Sequence, residues 1–484
     1  MNRNITTIIL LFIALTTRAQ TQETWTLDEC VEFALDHNLQ VKDITFTEQS
    51  NRETYRQSIR DLLPRINGFS NYVINFGRST DPFTNDVVTT EFFRNQYSLE
   101  ASIDIFQGFQ KINAIKASKF LRKATHEETL QEKFLLAFRV MQAFYDIRFA
   151  EGLVEISEEQ VAYSQSNYDL VERQIELGLK AGADLYEAES LLLTDELTLT
   201  QAKNQLATAK LGLIQEMNLE DTADIDIRAD IAVRPGFGNT GPENSGLTGD
   251  SLTTETSGEG AKDAKLIGES ARGMEPKTMD SDSIFNETRE FLPLLKAQEL
   301  RVRAAKSQLN VERGKLLPSL SLISGIGTGY FETTRDSLDN TVPFRDQFRD
   351  NTFQYIGVSL NVPIFNAWSA QSRIKQQKIE RLRAQNNLDI QEQVVFQTIQ
   401  QLVQEYESLL VENEQSDQNV ASQRLAFEIA QKRYEKGLIN ALELFQAKNL
   451  FANAQNENLQ VRLRTEINES TIDFYRGLPV FDIQ

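Results

Sequence analysis

Residues 96–106 read Gln-Tyr-Ser-Leu-Glu-Ala-Ser-Ile-Asp-Ile-Phe. Tyr97, Leu99, Ala101, Ile103 and Ile105 alternate with Gln96, Ser98, Glu100, Ser102 and Asp104. Period two over ten residues is a strand with one apolar and one polar face. A second stretch repeats it: Ile356, Val358, Leu360, Val362 and Ile364 alternate with Tyr355, Gly357, Ser359 and Asn361. Partner strands are expected near 66–76, where Tyr72, Ile74 and Phe76 alternate with Asn71 and Asn75, and across Leu320, Leu322, Ser324, Ile326 and Thr328. The spacing predicts β-hairpins over 66–106 and 319–365. Strands of about 9–11 residues with aromatics near both ends suit a bilayer. Phe69, Tyr72, Phe76, Phe92, Phe93, Tyr97, Phe106 and Phe109 flank the first hairpin; Tyr330, Phe331, Phe353, Tyr355, Phe365 and Trp368 flank the second. Pattern alone leaves two readings open: membrane strands, or a soluble sheet with one wet face.

The flanking helices decide between them. From Ala370 to Lys436 there is neither Pro nor Gly, and Val395, Ile399, Leu402, Tyr406 and Leu409 follow a heptad seam. From Lys111 to Leu177 only Gly152 interrupts, and Phe134, Phe138, Met141 and Tyr145 are similarly spaced. Long helices are expected over 110–177 and 370–436. At 1.5 Å per residue such a helix is about 100 Å long, which implies a coiled-coil or tubular assembly. Each ends at a glycine suited to a C-cap, Gly178 or Gly437, and a shorter helix returns over 184–218 or 442–475. An earlier helix, Leu27 to Leu62, is stopped by Pro64. Four strands cannot close a barrel, and lipid does not tolerate an open edge. If the strands cross a membrane, several chains must share one barrel.

The chain also repeats itself. Leu62-Leu63-Pro64 recurs as Leu316-Leu317-Pro318, Ile105-Phe106 as Ile364-Phe365, and Gly178-Leu179 as Gly437-Leu438. After each tip glycine, six positions on, stands an acid, Asp184 or Glu443. Ordered anchors at a nearly constant offset mark two copies of one unit, 20–230 and 284–484. Between them, residues 231–283 are Gly-, Ser-, Thr- and acid-rich, with a single aromatic from Pro235 to Ser283, and lack the apolar surface that would offset chain entropy. Residues 1–19 combine Arg3, an apolar run from Ile5 to Leu15 and a small residue, Ala19, before a polar stretch, which is the pattern of a secretory signal. No cysteine stands at the cleavage region, so a lipoprotein is not expected.

Composition narrows the function. The 484 residues carry a formal charge of -20, against a nucleic-acid partner, which needs a basic surface. The lone Cys30 excludes an internal disulfide, and with only His37 and His126 beside it a Cys/His metal site is not expected. There is no catalytic constellation, so neither an enzyme nor a cofactor is expected. The 40% hydrophobic fraction excludes a helical membrane protein but not a barrel.

Several features together resemble the TolC-like outer-membrane efflux family. They are Trp25-Thr26-Leu27-Asp28-Glu29 opening the first helix, Leu-Leu-Pro before each first strand, the Ile-Phe endings at 105–106 and 364–365, and the Gly-Leu-x4-Asp/Glu turns at 178–184 and 437–443. The resemblance implies a mainly α fold with membrane β: a homotrimer whose four strands per chain form a 12-stranded β-barrel, continued by a long periplasmic α-helical barrel. It implies a passive exit duct of a tripartite efflux pump or type I secretion system in the outer membrane. The implied partners are a periplasmic adaptor, an inner-membrane transporter reached through it, and outer-membrane lipid. Asp184, Glu443 and Gln446 would constrict the pore, Gln446 standing where some members carry a second acid. Gly178, Leu179, Gly437 and Leu438 would meet the adaptor. The same acids and glycines also suit plain helix caps. Leu99, Ile103, Ile105, Val358, Leu360 and Val362 would face lipid. The competing reading is a soluble periplasmic coiled-coil adaptor or tether.

Overall fold

The computed structural model describes residues 24–80, 87–88, 91–219, 225–228, 279–338, 340–481 and 483. The signal segment expected at 1–19 and most of the linker expected at 231–283 lie outside them. In chain order the principal elements are α1 (Leu27–His37), α2 (Leu39–Arg60), β1 (Arg65–Asn75), β2 (Phe92–Gln107), α3 (Gln110–Glu176), α4 (Gly182–Met217), α5 (Ser281–Phe291), α6 (Pro293–Gly314), β3 (Ser319–Phe331), α7 (Phe344–Asp350), β4 (Phe353–Asn361), α8 (Ser369–Glu435) and α9 (Ala441–Tyr475). Helix α5 begins inside the segment expected to be linker. The chain divides into two compact units: residues 1–38, 134–288 and 396–484, and residues 39–133 and 289–395.

The first unit is helical. Helix α1 starts at a reciprocal cap: the Glu29 carboxylate accepts from Thr26 N at 2.8 Å, and Thr26 Oγ1 accepts from Glu29 N at 3.3 Å. The bond from Thr26 N, with a second from the Thr26 hydroxyl to the same carboxylate at 2.9 Å, holds the Glu29 carboxyl below the usual carboxylate range. The single helix expected over 27–62 is broken. Asn38 adopts an extended conformation (φ -64°, ψ 130°), and its side-chain amide donates to the Glu216 carbonyl, 3.0 Å away, near the end of α4. An Asn that finds a backbone acceptor competes with helix continuation. The core here gathers Cys30, Val31 and Ala34 of α1, Leu136, Val140, Met141 and Ile147 of α3, and Leu213 and Met217 of α4. Phe474 of α9 packs tilted against Phe134 and edge-on against Phe138, with ring centroids 5.0 and 5.1 Å away. Gly152 lies under Leu459 of α9, where an added Cβ would collide with its Cδ2. The one glycine inside α3 is therefore a close helix contact rather than a break.

The second unit holds a four-stranded antiparallel sheet in the order β1-β2-β3-β4. The inner strands β2 and β3 join the two hairpins. Strands β2 and β4 pass into the long helices α3 and α8, each of 67 residues, through equivalent turns. Gly108 and Phe109 are both left-handed (φ 56° and 62°), and so are Ala367 and Trp368, 259 positions on (φ 50° and 61°). The sequence repeat is thus expressed as one backbone device used twice. Ala367 holds the same conformation with a side chain, so it is space that calls for glycine at 108: a Cβ there would strike the carbonyl of Gly314, at the end of α6.

Two strand expectations need correction. Strand β4 ends at Asn361, so Val362 lies beyond it, and Ile364 and Phe365 do as well. Pro363 follows at once and has no N–H to donate to a ladder. In β2 the register slips between Asp104 and Phe106, leaving Ile105 as the extra residue of a bulge. Ile105 and Phe106 are both exposed, whereas strict alternation would put them on opposite faces.

Candidate membrane face and helical tip

Register assigns the sheet's faces. Leu99 pairs with Gly68 and Ile326, Ala101 with Ile66 and Ser324, and Ile103 with Leu322. Leu322 pairs with Val358, Ser324 with Ile356, and Leu320 with Leu360. Directly paired residues share a face, so Ile66, Leu99, Ile103, Leu322, Ile326, Ile356, Val358 and Leu360 lie together. Val358 and Leu360 leave 66% and 65% of their surface exposed, Leu99 is exposed, and Ile103 is half-buried. A continuous row of exposed aliphatic side chains is not a surface for water. The opposite face carries Asn67, Asn71, Gln96, Ser98, Glu100, Ser102, Asp104, Ser321 and Ser359. On that polar face Gly325 and Gly327 make room for the rings of Tyr355 and Phe353, whose atoms would lie 2.7 and 2.6 Å from an added Cβ. The aromatics gather at the two strand ends. Phe106, Phe109, Phe365 and Trp368 are exposed where the strands meet the helices, and Tyr72, Phe93 and Tyr330 stack at the far end. Among the described residues, β1 and β4 each have one strand neighbour and one open edge.

The tip belongs to the first unit. Gly178 and Gly437 are left-handed (φ 72° and 69°) and close matching C-caps. Leu179 N donates to Gln174 O at 2.8 Å, and Leu438 N to Arg433 O at 2.9 Å. No atom lies near the Cβ position of either glycine, so their need for glycine is conformational. Lys180 ties the two turns together, donating to Tyr434 Oη at 2.9 Å. Around them Leu177, Leu179, Leu438, Leu442 and Tyr186 project into solvent. Asp184 closes half a cap, its carboxylate accepting from Ala181 N at 3.2 Å. In the second copy the other half of the cap is made: Asn440 Oδ1 accepts from Glu443 N at 2.8 Å, and the Glu443 and Gln446 side chains are exposed.

Just behind the tip is a cluster that the sequence reading did not single out. Lys448 of α9 is 1% exposed, Asp195 of α4 5%, and Ser164 of α3 is buried with them. The Lys448 ammonium forms an ion pair with the Asp195 carboxylate and donates to Ser164 Oγ at 2.8 Å, while Ser164 donates to the same carboxylate. Burial pushes the Lys448 ammonium below its ordinary value, and Asp195 opposes that. A signal was present: Leu444, Lys448 and Phe451, like Ala188, Leu192 and Asp195, place a charge at a core position of a helical seam. The three groups join three helices, and Lys448 stands five residues after Glu443.

No described helix is long and apolar enough to cross a membrane. A four-stranded sheet with one apolar and one polar face, joined to two very long helices, is the architecture of an outer-membrane channel protein. The chain belongs to the outer membrane efflux protein family, whose model matches residues 31–218 and 285–478. It is 22% identical over 446 residues to the cation efflux system protein CusC of Escherichia coli O157:H7, covering 92% of this chain and 84% of that one. It is 20% identical to a probable outer membrane lipoprotein, SilC, of Salmonella typhimurium, covering 90% and 82%. Among solved structures it resembles CusC (TM-score 0.71, 19% identity, 93% and 92% covered) and the outer membrane protein VceC of Vibrio cholerae (TM-score 0.69, 14% identity, 93% and 96% covered). The chain is an efflux channel of the outer membrane, in a family of channel and transport proteins. The soluble adaptor reading is set aside.

Proposed function

We propose that three copies of this chain share one barrel and form the passive exit duct of a tripartite efflux assembly. The observation that carries this reading is the sheet: four strands, one apolar face and two open edges. Three such sheets joined β4 to β1 make a twelve-stranded barrel with no edge left in lipid. Leu99, Ile103, Ile105, Val358 and Leu360 face lipid in that barrel, and the Asn, Ser, Glu and Gly face lines the lumen. Val362 borders the barrel at its helical end. The exposed leucines around Gly178, Leu179, Gly437 and Leu438 dock a periplasmic adaptor, which links the duct to an inner-membrane transporter.

Asp184, Glu443 and Gln446 narrow the entrance. In a trimer each acid makes a ring of three carboxylates, which attracts cations. The test is conductance of the purified protein in planar bilayers. Replacing Asp184 and Glu443 together with Ala should raise single-channel conductance and weaken block by multivalent cations. Conductance and block equal to those of the parent would remove both acids from the entrance.

A further inference from the structure

The connection between β3 and β4 contains the seven-residue helix α7, Phe344-Arg345-Asp346-Gln347-Phe348-Arg349-Asp350. It rests on the sheet's apolar face. Thr328 pairs with Tyr97 and Tyr330 with Asn95, so these side chains share the face of Leu99 and Ile326. Thr328 Oγ1 donates to the Phe348 carbonyl at 2.6 Å. The Phe348 ring meets Tyr97 with centroids 5.7 Å apart, and Phe344 meets Tyr330 at 5.6 Å. Tyr330 stacks on Phe93 and Phe93 on Tyr72, so the rings of α7 extend a continuous aromatic row across the strands.

The helix is held by specific bonds. Gln347, 2% exposed, occupies the edge of β3 beyond the end of β4. Its Nε2 donates to the carbonyls of Phe331 (2.9 Å) and Val342 (2.8 Å), and its Oε1 accepts from Phe331 N (3.0 Å). Asn351 Nδ2 donates to Gly329 O at 2.8 Å. Phe344 and Phe348, one turn apart, stay 46% and 42% exposed. Arg345 and Arg349 project from another side of the helix at 100° per residue, and both are exposed.

We propose that α7 is an interfacial anchor: it lies outside the barrel at its far rim, with Phe344 and Phe348 seated in outer-leaflet lipid and its arginines at headgroup level. Aromatic rings with a polar flank are favoured at that boundary. The inference rests on the reading of the apolar face as lipid-facing, with which it is continuous, and the occupant is lipid for that reason.

The single native cysteine makes the test clean. Cys30 is fully buried, and burial pushes its thiol up to about 12, so a new cysteine is the only one that labels. Nitroxides are placed by Phe344→Cys, Phe348→Cys and Arg345→Cys in the full-length protein. It is reconstituted in vesicles of phosphatidylethanolamine and phosphatidylglycerol, with Val358→Cys and Ser359→Cys as references for the two sheet faces. Collisions with oxygen should exceed those with a nickel chelate severalfold at 344, 348 and 358, and the ratio should reverse at 345 and 359. Water-like values at 344 and 348 beside a lipid-like 358 would overturn the anchor alone. Water-like values at 358 as well would overturn the lipid-face reading and the anchor with it. Should one of the two phenylalanine variants fail to assemble, the other reads the same face.

Discussion

Replacing Lys448 with Met should loosen the helices behind the tip by about 3–5 kcal/mol, the cost of stranding one member of a buried ion pair. Asp195, 5% exposed, would lose its cationic partner and retain the Ser164 hydroxyl as hydrogen-bond donor. Hydrogen exchange at the start of α9 measures this locally, and protection there should fall by two to three orders of magnitude. Replacing Asp195 with Leu alone strands Lys448 and should do the same. The triple replacement Ser164→Ala, Asp195→Leu, Lys448→Met removes all three polar groups and should recover most of the protection, because an apolar contact of similar volume avoids the desolvation cost. A triple variant as loose as either single one would show that the cluster contributes more than mutual neutralisation. Glu443 stands five residues before Lys448 and Asp184 eleven before Asp195. The geometry of the proposed entrance acids therefore hangs on this buried pair.

The second large effect follows from depth along β4. Val358 pairs with Leu322 well inside the sheet, whereas Leu360 pairs with Leu320 close to its helical end. An arginine on the lipid face of a barrel costs about 2–4 kcal/mol at the midplane and about 0–1 near the interface. Val358→Arg should therefore sharply reduce the yield of assembled protein in the outer membrane. Leu360→Arg should reduce it slightly. Ser359→Arg, between them on the polar face, should assemble at the parental level. Quantitative blotting of outer-membrane fractions reads all three. Equal losses at 358 and 359 would contradict the assignment of faces.

The strands were legible because the sheet is a single layer with an apolar and a polar side. At 96–104 each apolar residue alternates with a polar one, and the register sets the two kinds on opposite faces. Legibility stopped where local backbone chemistry intervened. Pro363 ends β4 and excludes Val362, and the bulge at Ile105 breaks the alternation without any mark in the side chains. The long helices were legible from sustained absence of breakers, but Asn38 showed its break only through a distant partner, the Glu216 carbonyl. Helix α7 is too short to register a period. Lys448 and Asp195 were readable as charges on apolar seams, but their pairing is a tertiary fact 253 residues apart. The tip glycines and acids stood out by repetition; the glycines close C-caps and Asp184 joins an N-cap, while Glu443 leaves that role to Asn440.

The central claim is that the four-stranded sheet is one third of a barrel. Native mass spectrometry of the protein, extracted from outer membranes in mild detergent and stripped of detergent in the gas phase, tests it most directly. The account predicts a complex of three chains as the smallest stable species. A predominant monomer that still conducts in planar bilayers would contradict it.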